Sequence, residues 1–104
     1  MSDKIACFAK LTAQPGKGDE LIAVFTKLFE TVEQESGTEV YVLHRDNKDP
    51  DTVWFYELYT DKPSLDAHGG SPGMKEAIGA LAGLVAGPPE LHFATPQKAK
   101  GTAI

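Results

Sequence analysis

The side chains able to do chemistry in this chain are few. They are three histidines (His44, His68 and His92), one cysteine (Cys7), and a carboxylate, Glu57, set among apolar strand neighbours. No metal site is expected, because the histidines lie far apart and neither Cys-x-x-Cys nor His-x-x-x-His occurs. There is no P-loop and no Gly-x-Gly-x-x-Gly after a strand. Ser/His/Asp catalysis cannot be read from spacing alone. Cys7 lies in an apolar-rich strand and reads as a buried, inert thiol. Glu57 shares a strand face with Phe55 and Tyr59, so its carboxylate must find a partner or shift its pKa. His68, on a short helix over that sheet, is the expected partner. Such a pair suits general acid–base work, and equally a structural role that closes a cavity. His44, beside Arg45 near a turn, reads as a rim residue, and His92, beside Phe93, as a structural one.

The elements that must position these groups follow from periodicity. Residues 5–13 alternate as a strand, with Ile5, Cys7, Ala9 and Leu11 on one face and Ala6, Phe8, Lys10 and Thr12 on the other. Gln14-Pro15-Gly16 is turn chemistry. A helix follows from Gly18-Asp19, carrying Leu21, Phe25, Leu28 and Val32 at helical spacing, widened by Ile22 and Phe29. Gly37 reads as the residue that ends it. Strands are expected over 39–45 and 52–60, joined by the polar turn 46–51. Asp61 caps a short helix with Pro63 near its start, and Gly69-Gly70 breaks it. Ser71 and Pro72 begin another, with a buried stripe of Met74, Ile78, Leu81 and Val85. Gly79, Gly83 and Gly87 are expected to allow close packing. Gly87-Pro88-Pro89 stops that helix, and 91–95 forms a last strand.

This order, β-α-β-β-α-β with the second helical region split, is the signature of an α+β, ferredoxin-like domain with a four-stranded antiparallel sheet. Placing Arg45 opposite Thr52 puts Tyr41, Leu43, Trp54, Tyr56 and Leu58 on one face, and Val40, Val42, Phe55 and Glu57 on the other. Helices cover only one face in this arrangement, and both are apolar, so a homodimer pairing the uncovered faces is expected. A register shifted by one residue would swap the faces and leave that expectation intact.

Composition agrees. The 104 residues suit one domain, 1–104, with a core over about 4–96 and a tail at 97–104. Hydrophobic residues at 41% and charged residues at 24% are an ordinary globular mixture. The net charge of −5, with scattered Lys and Arg, argues against a nucleic-acid partner. Neither a signal peptide nor a membrane span is legible, which makes a cytoplasmic protein the expectation.

The segment from Tyr41-Val42-Leu43-His44-Arg45-Asp46 through Tyr56-Glu57-Leu58-Tyr59 to Ala67-His68 carries a family resemblance. So do Pro15-Gly16-Lys17, the Asp49-Pro50 turn, Ser71-Pro72-Gly73-Met74-Lys75 and Gly87-Pro88-Pro89. In order and spacing the chain resembles the antibiotic biosynthesis monooxygenase family of dimeric α/β barrels over nearly its whole length. The pieces specify a fold well and a reaction poorly.

The resemblance implies three kinds of chemistry. These are cofactor-independent oxygenation of hydroquinones or polyketide-like aromatics, isomerisation of a small phosphorylated carbonyl compound, and haem degradation. The haem-degrading branch places an Asn on strand one, a Trp on the short helix and a ligating His on the next helix. Those places hold Ala9, His68 and Ile78 here, so that branch is set aside. The first two need a base and a donor that stabilises an anion, and His68 and Glu57 are the candidate catalytic residues. Tyr59, Phe25, Phe29, Met74 and Ile78 are the candidate substrate-binding residues. No metal, flavin or haem is expected, and a phosphate would need Lys10, Arg45 or Lys75 to converge. The rival from another class is a non-catalytic protein that holds a small hydrophobic ligand.

Overall fold

The structure, a computed structural model, describes residues 3–104. Its elements run β1 (Ile5–Thr12), α1 (Gly18–Val32), β2 (Thr38–Arg45), β3 (Thr52–Tyr59), α2 (Lys62–Gly69), α3 (Pro72–Ala80) and β4 (Glu90–Ala94). The strands form one antiparallel sheet in the order β2-β3-β1-β4, and the helices lie on one of its faces. Leu21, Phe25, Leu28 and Val32 of α1 are buried there against Ala9, Leu11, Val53 and Phe55. Each contributes about 1.5–3 kcal/mol through the apolar area it takes from water. Among the described residues no helix is long and apolar enough to cross a membrane.

Local chemistry starts and stops the short helices. Asp61 Oδ1 accepts from the Ser64 backbone N–H at 2.9 Å, and Ser71 Oγ from that of Met74 at 3.1 Å. Each satisfies an amide that the helix leaves open, and Pro63 and Pro72 occupy first-turn positions where no amide is needed. The α1 helix closes at Val32 with Glu33 as its cap, so Gly37 does not end it. The bare Cα of Gly37 instead admits Ser64, whose Oγ would stand 2.2 Å from an added Cβ. The α3 helix stops at Ala80, short of the expected stripe. Gly83 adopts a φ of +78°, turning the chain so that Val85 bridges to Ala13. Nothing lies within 4 Å of a Cβ built on Gly79, Gly83 or Gly87, so these glycines do not serve close packing.

The pairing of β2 with β3 differs by one residue from the expected register. Arg45 faces Val53, Leu43 faces Phe55 and Tyr41 faces Glu57. The turn decides this. The Asp46 amide donates to Thr52 O at 2.9 Å, which makes the turn one residue shorter than expected. The Asp46 carboxylate then takes the Lys48 and Asp49 amides, each at 2.9 Å, and Trp54 Nε1 at 2.8 Å. A slip of one position flips every side chain on a strand. Tyr41 and Leu43 therefore face the helices, which corrects their assignment to the uncovered face. Trp54, Tyr56 and Leu58 are on that face, joined by Val40, Val42, His44 and Phe8. Phe8, Val42 and Trp54 are 44%, 39% and 40% exposed, so the uncovered side is apolar and wet in a single chain. At its far end Ala6 and Leu58 are buried, and Lys4 Nζ donates to Ala103 O at 2.9 Å.

Candidate active site

Between the sheet and its helices lies a cavity of about 290 Å³. Its floor comes from alternate residues of β1 and β3 (Cys7, Ala9, Leu11, Phe55, Glu57) and from Tyr41 of β2. Phe25 of α1, Leu65 and His68 of α2, and Met74 and Ile78 of α3 close the sides. Leu91 and Phe93 of β4 stand at the mouth, 53% and 54% exposed. The floor exists because β1 and β3 present one apolar parity toward the helices, interrupted by a single carboxylate.

The structure brings His68 and Glu57 to this cavity but does not pair them. Glu57 Oε1 accepts from the Tyr59 hydroxyl. His68 Nδ1 meets Glu35 Oε1 at 2.7 Å, and Glu35 Oε1 also accepts from Thr38 Oγ1 at 2.8 Å. The expected Glu57–His68 pair is thus replaced by two separate ones, because the loop after α1 carries Glu35 to the ring first. His68 is 4% exposed and packs between the rings of Tyr41 and Tyr59, with centroids at 5.2 and 5.3 Å. Its other ring nitrogen, Nε2, has no hydrogen-bond partner among the described residues.

Phe25, Met74 and Ile78 line the cavity, Ile78 at its edge. Phe29 and Tyr59 do not. Phe29 packs edge-on against Tyr41 with centroids 5.3 Å apart, outside the lining. Tyr59 is fully buried behind Glu57, and its hydroxyl is already engaged. Sequence reasoning missed Tyr41, because the register error turned it away, and Glu35, a loop glutamate with no periodic signal. Leu91 and Phe93 could have been found from the Cys7–Phe93 and Ala9–Leu91 pairings, once β4 was placed beside β1.

The cavity favours neutral groups. Burial pushes the Cys7 thiol up to about 12, with Glu57 adding to it. Burial, then Glu57, likewise raises the Tyr41 phenol, and the same two causes raise Tyr59. The Glu57 carboxyl is itself held above the ordinary range by burial, which outweighs the Tyr59 hydrogen bond and the nearby His68. No Lys or Arg is among the residues that line the cavity. Lys10 lies on the opposite face over the Trp54 ring, and Arg45 is held by Asp19 Oδ1 at 2.7 Å and Pro50 O at 2.8 Å. What remains is an apolar chamber with one histidine, one carboxyl raised by burial and a half-buried carboxylate behind the histidine. That arrangement can move a proton.

The antibiotic biosynthesis monooxygenase family matches residues 5–80, from the start of β1 to the end of α3. The chain belongs to that family. A crystal structure of a candidate antibiotic biosynthesis monooxygenase from Caulobacter crescentus CB15 is 31% identical, covers 93% of this chain and 92% of its own, and superposes with a TM-score of 0.86. One from Chloroflexus aurantiacus J-10-fl is 30% identical, covers 94% and 97%, and gives 0.81. An uncharacterised Synechocystis protein is 26% identical over 91 residues, or 88% of this chain. The chain spans 62% of that relative's length.

Proposed function

We propose that this chain is a monooxygenase that oxidises a small, uncharged, hydroquinone-like aromatic with O₂ and no resident cofactor. The observation that carries the reading is His68, held at Nδ1 by Glu35 in an apolar cavity, with Nε2 unpartnered among the described residues. Nε2 takes the phenolic proton, and the electron-rich phenolate passes electrons to O₂ directly. Hydroquinone and O₂ give hydroxyquinone and water, so atoms and electrons balance without an external reductant. The proton on His68 returns to the oxygen that leaves as water. Glu57, whose carboxyl burial raises above its ordinary value, lies on the cavity floor where the second ring oxygen would sit. Phe25, Met74 and Ile78 hold the ring by apolar contact.

Isomerisation of a phosphorylated carbonyl compound has less support, because a phosphate would enter a lining that contains no Lys or Arg. The same reading includes a homodimer through the sheet face bearing Phe8, Val42, Trp54 and Tyr56, whose exposed apolar surface calls for a cover.

Oxygen uptake by the purified protein with a panel of substituted hydroquinones, beside anaerobic controls, tests the chemistry. Uptake above buffer is expected, reduced about 100-fold or more in His68→Ala. No uptake across the panel would leave a ligand-binding protein. Full activity in His68→Ala would remove it as the base.

A further inference from the structure

We propose that Glu35 is a positioning residue. Its carboxylate holds His68 as the Nδ1–H tautomer, leaving Nε2 for the cavity, and it stabilises the imidazolium once His68 has taken a proton. The 2.7 Å contact between Nδ1 and Oε1 requires a proton between them, and a carboxylate accepts while the ring donates. Oε1 carries two donors, His68 and Thr38, whereas Oε2 is buried with no hydrogen-bond partner among the described residues. A carboxylate so poorly solvated is favoured next to a positive ring, which is the state His68 reaches after abstracting a proton.

The surroundings fix this pair from both sides. The loop carrying Glu35 is tied to the end of β3 by the Thr60 amide donating to Gly37 O at 3.0 Å. Gly37 packs against Ser64 in the first turn of α2, the helix that bears His68, and Ser64 Oγ donates to Asp61 Oδ1 at 2.6 Å. Loop and helix therefore keep a fixed distance, and the ring cannot turn without breaking several contacts. That exceeds what closing a cavity requires, since the Tyr41 and Tyr59 rings already pack against His68.

The catalytic part of this inference rests on the oxygenase reading above, but the tautomer part does not. Long-range ¹H–¹⁵N correlation of the His68 ring in the full chain reads the tautomer directly. Wild type is expected to be protonated at Nδ1 and bare at Nε2. Glu35→Ala should shift the population toward Nε2–H, because no acceptor remains at Nδ1. Glu35→Gln keeps an acceptor oxygen and should hold the wild-type tautomer while losing the charge. In hydroquinone-dependent oxygen uptake, kcat should fall about 10-fold in Glu35→Gln and about 100-fold in Glu35→Ala, with KM within about twofold. Glu35→Asp should recover part of the loss. Thr38→Val, which removes the other donor to Oε1 and leaves the acceptor in place, should hold the wild-type tautomer. An unchanged tautomer in Glu35→Ala overturns the proposal. Should Glu35→Ala not fold, wild-type kcat in Glu35→Gln overturns it equally. A tautomer switch in a protein whose wild type consumes no oxygen would sustain this role for Glu35 and reject the oxygenase reading alone.

Discussion

Tyr41 stands directly opposite Glu57 in the β2–β3 ladder, and both side chains line the same cavity. The Tyr41 ring also meets Phe29, Phe55 and His68 with centroids 5.2–5.3 Å away, so it joins the aromatic core to the site. Its phenol and the carboxyl beside it are both driven toward their neutral forms by burial. A ligand entering here meets aromatic rings and a lining without Lys or Arg, which supports the proposal of a neutral aromatic over an anion.

The raised Glu57 carboxyl makes stability pH-dependent in a definite direction. The native state holds the proton more tightly than the unfolded chain does, so this stabilisation is complete below about pH 4.5, the ordinary value, and is lost as pH climbs through the native value. Glu57→Gln cannot ionise. It is expected to flatten the decline in urea midpoint above about pH 4.5, and to stand above wild type at pH 8. A variant less stable than wild type at pH 8 would show that the charged form is the one the fold supports.

Two glycines should respond oppositely to alanine. At Gly37 a methyl group would stand 2.2 Å from Ser64 Oγ and 2.4 Å from Ser64 Cβ, forcing the Glu35 loop away from α2. Gly37→Ala is expected to cost about 1–3 kcal/mol in urea denaturation. Gly79 lies within α3 with nothing inside 4 Å of the added carbon. Gly79→Ala should therefore gain about 0.5–1 kcal/mol through helix propensity and reduced unfolded-state freedom. Equal effects at the two positions would contradict the packing described.

How much of this was legible depends on whether a pattern has a phase. The stripe of α1 is one-sided, and so is the alternation of β1, and both emerge as read. The strands β2 and β3 are apolar on both faces, and a period of two then carries no information about which parity points inward. Only the hydrogen bonds of Asp46 and Thr52 set it, and they belong to a turn whose closure could not be counted from residue types. The end of α3 was missed for a related reason. Leu81 and Val85 continue a helical spacing, but Gly83 turns the chain so that Val85 serves the sheet edge. Of the site, His68 and Glu57 were visible as polar residues at apolar positions. Glu35 was not, since a glutamate in a charged loop has no distinguishing environment until the fold supplies one.

Cys7 lies opposite Glu57 on the neighbouring strand and is 3% exposed. With its pKa pushed up to about 12 from 9.0, the thiolate fraction near pH 8 falls roughly a thousand-fold. Native protein should thus react with a disulfide reagent at least about a thousand times more slowly than the urea-unfolded chain at the same pH. Rapid labelling of the native state would mean that the cavity opens to the reagent and the thiol is less protected than its burial implies.

Assembly can be tested at adjacent residues that the sheet sends in opposite directions. Val42 points to the uncovered face and is 39% exposed, whereas Leu43 packs against the core beneath the helices. If two copies cover each other's open faces, a charge at position 42 is buried unpaired at the interface, while the isolated subunit tolerates it in water. Val42→Asp is expected to sediment as a folded monomer at micromolar concentration, and wild type as a dimer. Leu43→Asp should instead unfold the subunit, since the carboxylate would enter the core with no partner. The opposite pattern, an intact dimer in Val42→Asp beside a folded monomer in Leu43→Asp, would place the interface on the Tyr41 side and return the cavity residues to the surface. A wild-type monomer with Trp54 quenched by aqueous iodide would leave the open face uncovered, and the exposed apolar patch would then need a different partner.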